Sequence, residues 1–350
     1  MADVVVVDDS QFMRVQIREI LAEGGHSVVG EAENGKRALD VIADLDPDVV
    51  TMDVKMPGID GIEAVERLMT EHPTPVLMLS RYTEEGADTT LEALDAGAVD
   101  FMRKPDGEVT TGLVEYADDL VDLVGVVARA DVSPSVSSES IGAATAGTPA
   151  LSAREWETPP TLLIAASTGG PSEIQRVLAS LPADVGLRVV VVQHMPAQFT
   201  GRFAQRLDEV SPLAVREAGE KNRIGPGEAV VARGGAHLGV DRDTGSKLVV
   251  SASDDPPIHS VRPAADFTLE SAAEAVSGPL CAVVISGMGR DGAAGVKAVA
   301  AAGGSVVVQS PDSASIESMP ERAIETGVAD AVVPTAEIPA AVLDELDASQ

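Results

Sequence analysis

The chain has 350 residues, 45% apolar but only 2% aromatic, with one cysteine and a net charge of −31. That length suits two domains with cores of Val, Leu, Ile and Ala, and the single cysteine excludes an intrachain disulfide or a thiolate metal cluster. The acidic balance, with 6 Lys and 19 Arg against 56 Asp and Glu, argues against nucleic acid or an anionic membrane as partner and favours a halophilic source whose salt screens the self-repulsion.

In chain order, Val4–Val7 reads as a strand and Ser10–Glu23 as a helix. Ser27–Ala32 is a second strand and Lys36–Asp44 a helix. Asp48–Met52 is a third strand, followed by helix Ile62–Glu71. Val76–Leu79, Thr89–Ala96, Ala98–Phe101 and Gly112–Arg129 continue the alternation. Five strand–helix repeats with short connections predict a parallel sheet with helices on both faces. No apolar run reaches the roughly 18–20 residues of a membrane span. The start Met1-Ala2-Asp3-Val4 lacks a signal-peptide pattern, so a cytoplasmic location is expected.

From Ala130 to Pro160 the pattern gives way to small, polar, Pro-punctuated sequence, as in a flexible linker. The expected organisation is a first domain over 1–127, a linker over 128–158 and a second domain over 159–350. Trp156, the single tryptophan, is expected to dock on the second domain. Alternation then resumes with strand Leu162–Ala166, helix Pro171–Leu181, strand Leu187–Val192 and helix Thr200–Val210. A β-rich section covers Leu213–Val250. Helix Ala264–Val276, strand Ala282–Ile285, helix Gly292–Ala301, strand Ser305–Gln309 and helix Glu321–Thr326 follow. The predicted fold class is α/β: two doubly wound parallel-sheet domains, the second Rossmann-like with an inserted antiparallel section.

Two constellations carry chemistry. Asp8 and Asp9 follow the first strand, Asp53 ends the third, Ser80 follows the fourth and Lys104-Pro105 the fifth. In an open parallel sheet these positions share one crevice. Three carboxylates there call for a hard cation, with Mg²⁺ the natural choice, and the lysine and hydroxyl suit phosphoryl oxygens. Solvated loop charges are the plainer reading of Asp8 and Asp9 alone. With Met56-Pro57-Gly58-Ile59-Asp60-Gly61 just after Asp53, the order resembles the receiver domains of two-component response regulators. That resemblance implies Asp53 as phosphoacceptor, with Mg²⁺ held by Asp9, Asp53 and the Lys55 carbonyl and Asp8 assisting through water. It also implies phosphoryl contacts from Ser80 and Lys104, and Phe101 at the aromatic switch position.

The second constellation starts at Ser167-Thr168-Gly169-Gly170-Pro171, where an apolar run ends in a serine before a helix. Such a turn exposes a hydroxyl beside helix-terminal amides able to hold an oxyanion. His194 follows the next strand and is the best-placed base. His26 and His72 read as surface residues of the first domain, while His237 and His259 suit either ligand or core roles. Asp291, in Ser286-Gly287-Met288-Gly289-Arg290-Asp291-Gly292, is the candidate orienting acid, with Asp255 and Asp266 as rivals. Spacing alone also allows a phosphate- or nucleotide-binding cradle without catalysis, which would need neither His194 nor Asp291. Cys281, inside an apolar run, reads as packing. A receiver-linked transcription factor would need a basic recognition helix, which is missing.

The motifs around Ser167, Gln193-His194-Met195-Pro196, Val261-Arg262-Pro263, Gly287–Asp291, Gly303–Gln309, Ser318-Met319-Pro320 and Ile338-Pro339 resemble, in order, the catalytic domain of the chemotaxis protein-glutamate methylesterases. The resemblance implies Ser167 as nucleophile, His194 as general base and acid, Asp291 as orienter, and the amides near Thr168 and Met288 as oxyanion donors. It implies hydrolysis of glutamate γ-methyl esters on chemoreceptor cytoplasmic domains with no cofactor, and in some members deamidation of receptor glutamines. A chemotaxis histidine kinase would be the phosphodonor, and the unphosphorylated receiver would shield Ser167. Arg233, Ala264 and Ser318 depart from a usual proline, serine and glycine, which bears on substrate contacts and leaves the triad untouched.

Overall fold

The computed structural model describes residues 1–80, 84–104, 110–132 and 156–348. The linker expected over 128–158 falls largely outside them, as does Pro105. The chain divides into two compact units, Met1–Ala146 and Gly147–Gln350.

The first unit alternates β1 (Asp3–Val7), α1 (Gln11–Glu23), β2 (Ser27–Ala32), α2 (Gly35–Leu45), β3 (Val49–Asp53), α3 (Gly61–Glu71), β4 (Val76–Ser80), α4 (Glu84–Asp95), β5 (Asp100–Arg103) and α5 (Thr110–Val127). All strand pairs are parallel, in the order β2-β1-β3-β4-β5. Every residue of β3 and β4 is buried, as expected of strands covered on both faces. Helix starts are set by side-chain caps: Ser10 accepts from Met13 N–H, Asn34 from Arg37 N–H and Asp60 from Glu63 N–H. The chain winds outward in opposite directions from β1 and β3, which leaves a crevice at their carboxyl ends.

The second unit is built on a seven-stranded parallel sheet in the order β15-β14-β13-β6-β7-β10-β8. Its strands are β6 (Thr161–Ala166), β7 (Arg188–Gln193), β8 (Ala214–Glu217), β10 (Glu228–Val231), β13 (Leu280–Val284), β14 (Ser305–Gln309) and β15 (Ala331–Val333). Helices α6 (Gly170–Ser180), α7 (Ala197–Val210), α8 (Ala265–Ala275), α9 (Ala293–Ala301), α10 (Ser318–Ile324) and α11 (Ile338–Ala348) connect or flank them. β6, β7, β13 and β14 are wholly buried. Valine is the commonest residue of β7, β13 and β14, and Leu, Ile and Ala fill β6; at about 1.5–3 kcal/mol per fully buried large aliphatic side chain, the core needs few aromatics.

The antiparallel section is smaller than the β-rich stretch Leu213–Val250 suggests. Only β9 (Lys221–Ile224), β11 (His237–Asp243) and β12 (Leu248–Ser253) form the three-stranded antiparallel sheet. β8 and β10 instead extend the main sheet as parallel strands. β15 and α11, which the sequence pattern does not reveal, complete the other edge. The winding direction reverses between β6 and β13, so the loops after these two strands meet at a switch point.

Candidate active site

Ser167 follows β6, His194 follows β7 and Asp291 lies in the loop after β13, so three neighbouring strands deliver them to one edge. Ser167 N–H donates to Ser286 O (3.0 Å), and Gly170 N–H returns to Ser167 O (2.8 Å), closing the strand-to-helix turn. Gly169 there has φ 75°, a left-handed conformation that glycine adopts without strain. Gln193 Nε2 donates to Ser167 O (2.8 Å) from behind. Gly287 presses against the serine: a Cβ added there would lie 2.8 Å from Ser167 Cβ.

His194 Nε2 donates to Asp291 Oδ2 at 2.8 Å. Asp291 is 2% exposed, and its carboxylate also accepts from Ala265 N (2.5 Å), Asp266 N (2.9 Å) and Gly292 N (3.1 Å). Two of these amides open α8, whose positive end favours a carboxylate. Burial alone would raise the Asp291 carboxyl, but His194 and the α8 amides outweigh it and hold the group below the usual carboxylate range. The rival acids lie elsewhere in the network. Asp266 Oδ1 accepts from Gly295 N (2.7 Å) and its Oδ2 from His259 Nε2 (3.0 Å), while Asp255 binds Ser253.

The loop amides can be accounted for one by one. Ser286 N–H goes to Gln309 Oε1 (2.7 Å), Gly287 N–H to Ile316 O (3.1 Å) and Gly289 N–H to Ser318 Oγ (3.0 Å). Among the described residues, this leaves the N–H groups of Thr168, Gly169 and Met288 unspent beside Ser167, and those of Arg290 and Asp291 unspent further along the loop. Such an arrangement can present a hydroxyl, a base with an oriented ring, and donors for a developing negative charge.

The first unit gathers the acidic constellation. Lys104 Nζ reaches Asp8 Oδ2 (2.5 Å) and Asp53 Oδ2 (2.8 Å), all three buried, while Asp9 is exposed. Asp8, Asp9 and Asp53 offer oxygens within 4.8 Å of one another. Burial pushes the Asp53 carboxyl up, Lys104 opposes this, and Asp8 adds to it. Three converging carboxylates against one lysine fit a hard divalent cation. Ser80 Oγ accepts from Thr90 Oγ1 (3.0 Å), Lys55 N–H points at Asp53 Oδ1 (3.4 Å), and Phe101 is buried.

Comparison with known proteins reproduces this division. Residues 4–111 match the response regulator receiver domain and residues 162–342 the CheB methylesterase domain. The chain is 52% identical over 344 residues to the protein-glutamate methylesterase/protein-glutamine glutaminase of Natronomonas pharaonis, covering 98% of this chain and 97% of the relative. The chain belongs to the CheB methylesterase family. The Halobacterium salinarum relative is 48% identical over 346 residues, covering 99% of both chains. The crystal structure of the Thermotoga maritima CheB methylesterase catalytic domain is 37% identical, with a TM-score of 0.51, covering 53% of this chain and 98% of that one.

Ser318 and Ala264, two positions singled out by the sequence, have structural consequences at the site. Ser318 Oγ accepts from Gly289 N–H and donates to Gly287 O (3.0 Å), bracing the loop that bears the Met288 amide. Ala264 gives α8 no side-chain cap, and Asp291 takes over that role. Residue spacing gives no sign of the supports beneath the loops. Ser286 Oγ donates to Thr168 O (2.8 Å) and accepts from Ile316 N–H (2.9 Å), tying three loops together. Gln193 and Gln309 end β7 and β14 and are buried. Buried Glu173, in the first turn of α6, is pushed above the usual carboxyl range by its burial, against Arg176 and Thr335. For the two glutamines, a polar residue closing an apolar strand run is the signal the sequence offers.

The other histidines separate clearly. His237, 1% exposed, accepts from Ala264 N–H (3.1 Å), bonds Pro256 O (3.1 Å) and stacks on Phe267, so it is a satisfied core residue. His26 is half-buried rather than a surface residue, bridging Ala2 N and Val121 O. His72 is exposed at the end of α3. Cys281 is fully buried, and burial pushes its thiol well above the usual range.

Proposed function

We propose that the chain is a phosphorylation-activated protein-glutamate methylesterase acting on methylated chemoreceptor cytoplasmic domains, with Ser167, His194 and Asp291 as its catalytic residues. The carrying observation is the 2.8 Å bond from His194 Nε2 to Asp291 Oδ2 beside the Ser167 turn. A bare phosphate cradle has no use for that pair.

Ser167 Oγ attacks the γ-carbonyl carbon of the methyl ester while His194 takes the hydroxyl proton. The tetrahedral oxyanion lies within reach of the Thr168 and Met288 amides, each such donor contributing on the order of 10²–10³ in rate. The C–O bond to the methoxy group breaks, His194 returns the proton, and methanol leaves a glutamyl ester on Ser167. Water then attacks that ester, His194 accepts its proton, and the cleaved Ser167 oxygen is reprotonated as glutamate departs. Asp291 keeps the imidazole ring oriented and stabilises its charged form. Glutamine deamidation follows the same course with ammonia as the leaving group, in keeping with the double name of the relatives.

In the first unit Asp53 is the phosphoacceptor, served by a chemotaxis histidine kinase. Asp8, Asp9, Asp53 and the Lys55 carbonyl would hold Mg²⁺, which supplies charge neutralisation for phosphoryl transfer. Ser80 and Lys104 contact the phosphoryl oxygens, and Phe101 responds to them. The unphosphorylated receiver restrains the esterase. The assignment fits a cytoplasmic protein, and no helix among the described residues is long and apolar enough to cross a membrane. Labelling by a covalent serine probe tests the chemistry: Ser167 is modified in the wild type, and Ser167→Ala is not labelled. Labelling elsewhere, or none in an active preparation, would contradict the assignment.

A further inference from the structure

We infer that Arg233 and Arg290 form a cationic clamp at the margins of the triad that binds carboxylates flanking the reacting ester in the polypeptide substrate. The inference rests on the methylesterase reading and concerns what that site selects.

Arg290 immediately precedes Asp291 and is exposed, on the same loop as half-exposed Met288. Its Nε donates to His259 Nδ1 (3.4 Å), while His259 Nε2 donates to Asp266 Oδ2 (3.0 Å). Asp266 is in turn anchored beside Asp291, since its own N–H donates to Asp291 Oδ1 (2.9 Å). The guanidinium stem is thereby oriented from the triad's own scaffold. Its two terminal nitrogens meet no carboxylate among the described residues. The segment that presents His259 is strained: His259 (φ 52°) and Ser260 (φ 64°) are consecutive non-glycine residues in the left-handed region. That conformation costs about 1–3 kcal/mol per residue and concentrates at functional sites.

Arg233 lies on a separate loop, next to the segment that follows His194. It opens the turn Arg233-Gly234-Gly235, and Gly234 packs so tightly on Met195, Pro196 and Ala197 that no side chain fits there. These residues directly follow His194. Gly235 N–H donates to Arg262 O (3.0 Å), which joins this turn to the segment carrying His259. Arg233 is exposed and makes no ion pair among the described residues. Arg262, between the two, is committed to the carbonyls of Asp254 (3.2 Å) and Asp255 (3.3 Å) and holds the segment in place.

Charge decides what such a pair recognises. A chain with 56 acidic and 25 basic residues repels an acidic polypeptide over most of its surface. Two uncompensated arginines beside His194 and Asp291 make the catalytic margin the exception. In molar salt the Debye length is about 3 Å, so long-range attraction is lost and only contact pairing discriminates. The guanidinium fork, matched to a carboxylate, provides such contacts where lysine does so less well. The reacting ester is itself uncharged, so the clamp reads its neighbours.

The test uses the full chain with phosphodonor and Mg²⁺, kept at a salt concentration where it is folded, with two synthetic peptides bearing one central glutamate γ-methyl ester. One peptide has glutamates flanking the ester and the other glutamines, and methanol release is measured for each. The expected kcat/KM ratio is about tenfold in favour of the glutamate-flanked peptide. It falls to about one in Arg233→Gln/Arg290→Gln and stays near tenfold in Arg216→Gln, whose guanidinium pairs with Glu228 on the outer strands. Equal rates in the wild type, or a preference surviving in the double variant, would overturn the clamp while leaving the esterase intact. No hydrolysis of either peptide would overturn the methylesterase reading and the clamp with it.

Discussion

His194 gives its Nε2 to Asp291, so Nδ1 is the ring nitrogen left for Ser167. Among the described residues neither His194 Nδ1 nor Ser167 Oγ has a hydrogen-bond partner, so both are available to the proton path of the proposed mechanism. Asp291 is pinned by four donors, including the first amides of α8. An asparagine would turn an N–H toward one of these donors and unsettle the ring.

Ser167→Ala, His194→Ala and Asp291→Asn are therefore expected to lose on the order of 10³–10⁶ in kcat for methanol release, with little additivity between Ser167 and His194. Asp266→Asn should cost far less. A greater loss from Asp266→Asn than from Asp291→Asn would reassign the orienting acid. The sign of the pH effect also follows. Because the folded-state value of Asp291 is depressed, its stabilising contribution is present above the ordinary carboxyl range and is lost as the pH falls through that depressed value. Its protonation should limit activity only below the ordinary carboxyl range.

Ser318 braces the loop that carries the Met288 amide. Ser318→Ala removes one acceptor and one donor from an exposed margin that water can partly replace. A fall in kcat of roughly three- to tenfold is expected, less than the loss of an oxyanion donor itself, with the thermal midpoint little changed. Unaltered kcat would show that the loop holds its shape without this brace.

Much of this is legible in the sequence because each reacting group closes an apolar strand and precedes a turn. Ser167, His194, Asp53 and Lys104 are thus assigned to sheet edges by strand pattern alone. The directions of β8 and β10 are not: each has four residues, and local pattern does not encode whether a short strand runs parallel or antiparallel to a distant partner. β15, with three residues, gives too little periodicity to detect. The Ser286 bonds are products of tertiary packing, invisible to spacing because their partners Thr168 and Ile316 lie on other loops, and the His259–Asp266 pair depends on the left-handed turn at His259 and Ser260 that folds the segment back onto α8.

Asp53 yields a stability prediction. Burial raises its carboxyl against the opposing effect of Lys104, and Asp8 adds repulsion. A raised folded-state value means stabilisation at low pH that is lost as the pH rises through that value. At neutral pH without divalent cation, Asp53→Asn should raise the unfolding midpoint of the first unit. Adding Mg²⁺ should stabilise the wild type more than the variant. Calorimetry checks both, and a midpoint lowered by Asp53→Asn would contradict the account.

The charge of −31 on 350 residues sets the salt requirement. Diluting from molar salt toward 0.01 M lengthens the Debye length from about 3 Å to about 30 Å, exposing carboxylates to one another. The unfolding midpoint followed by circular dichroism should fall progressively, and an undiminished midpoint in low salt would remove the halophilic interpretation.

The central claim is that phosphorylation of Asp53 controls hydrolysis at Ser167. Methanol release from methylated chemoreceptors tests it most directly, using the full chain with and without a phosphodonor and Mg²⁺, Asp53→Asn, and a fragment beginning at Pro159. Phosphorylation should activate the full chain roughly 10–100-fold, within the few kcal/mol available to a two-state switch. Asp53→Asn should stay at the low level, and the fragment should exceed the unphosphorylated chain without any donor. A full chain as fast without phosphodonor as with it, and no slower than the fragment, would contradict the claim.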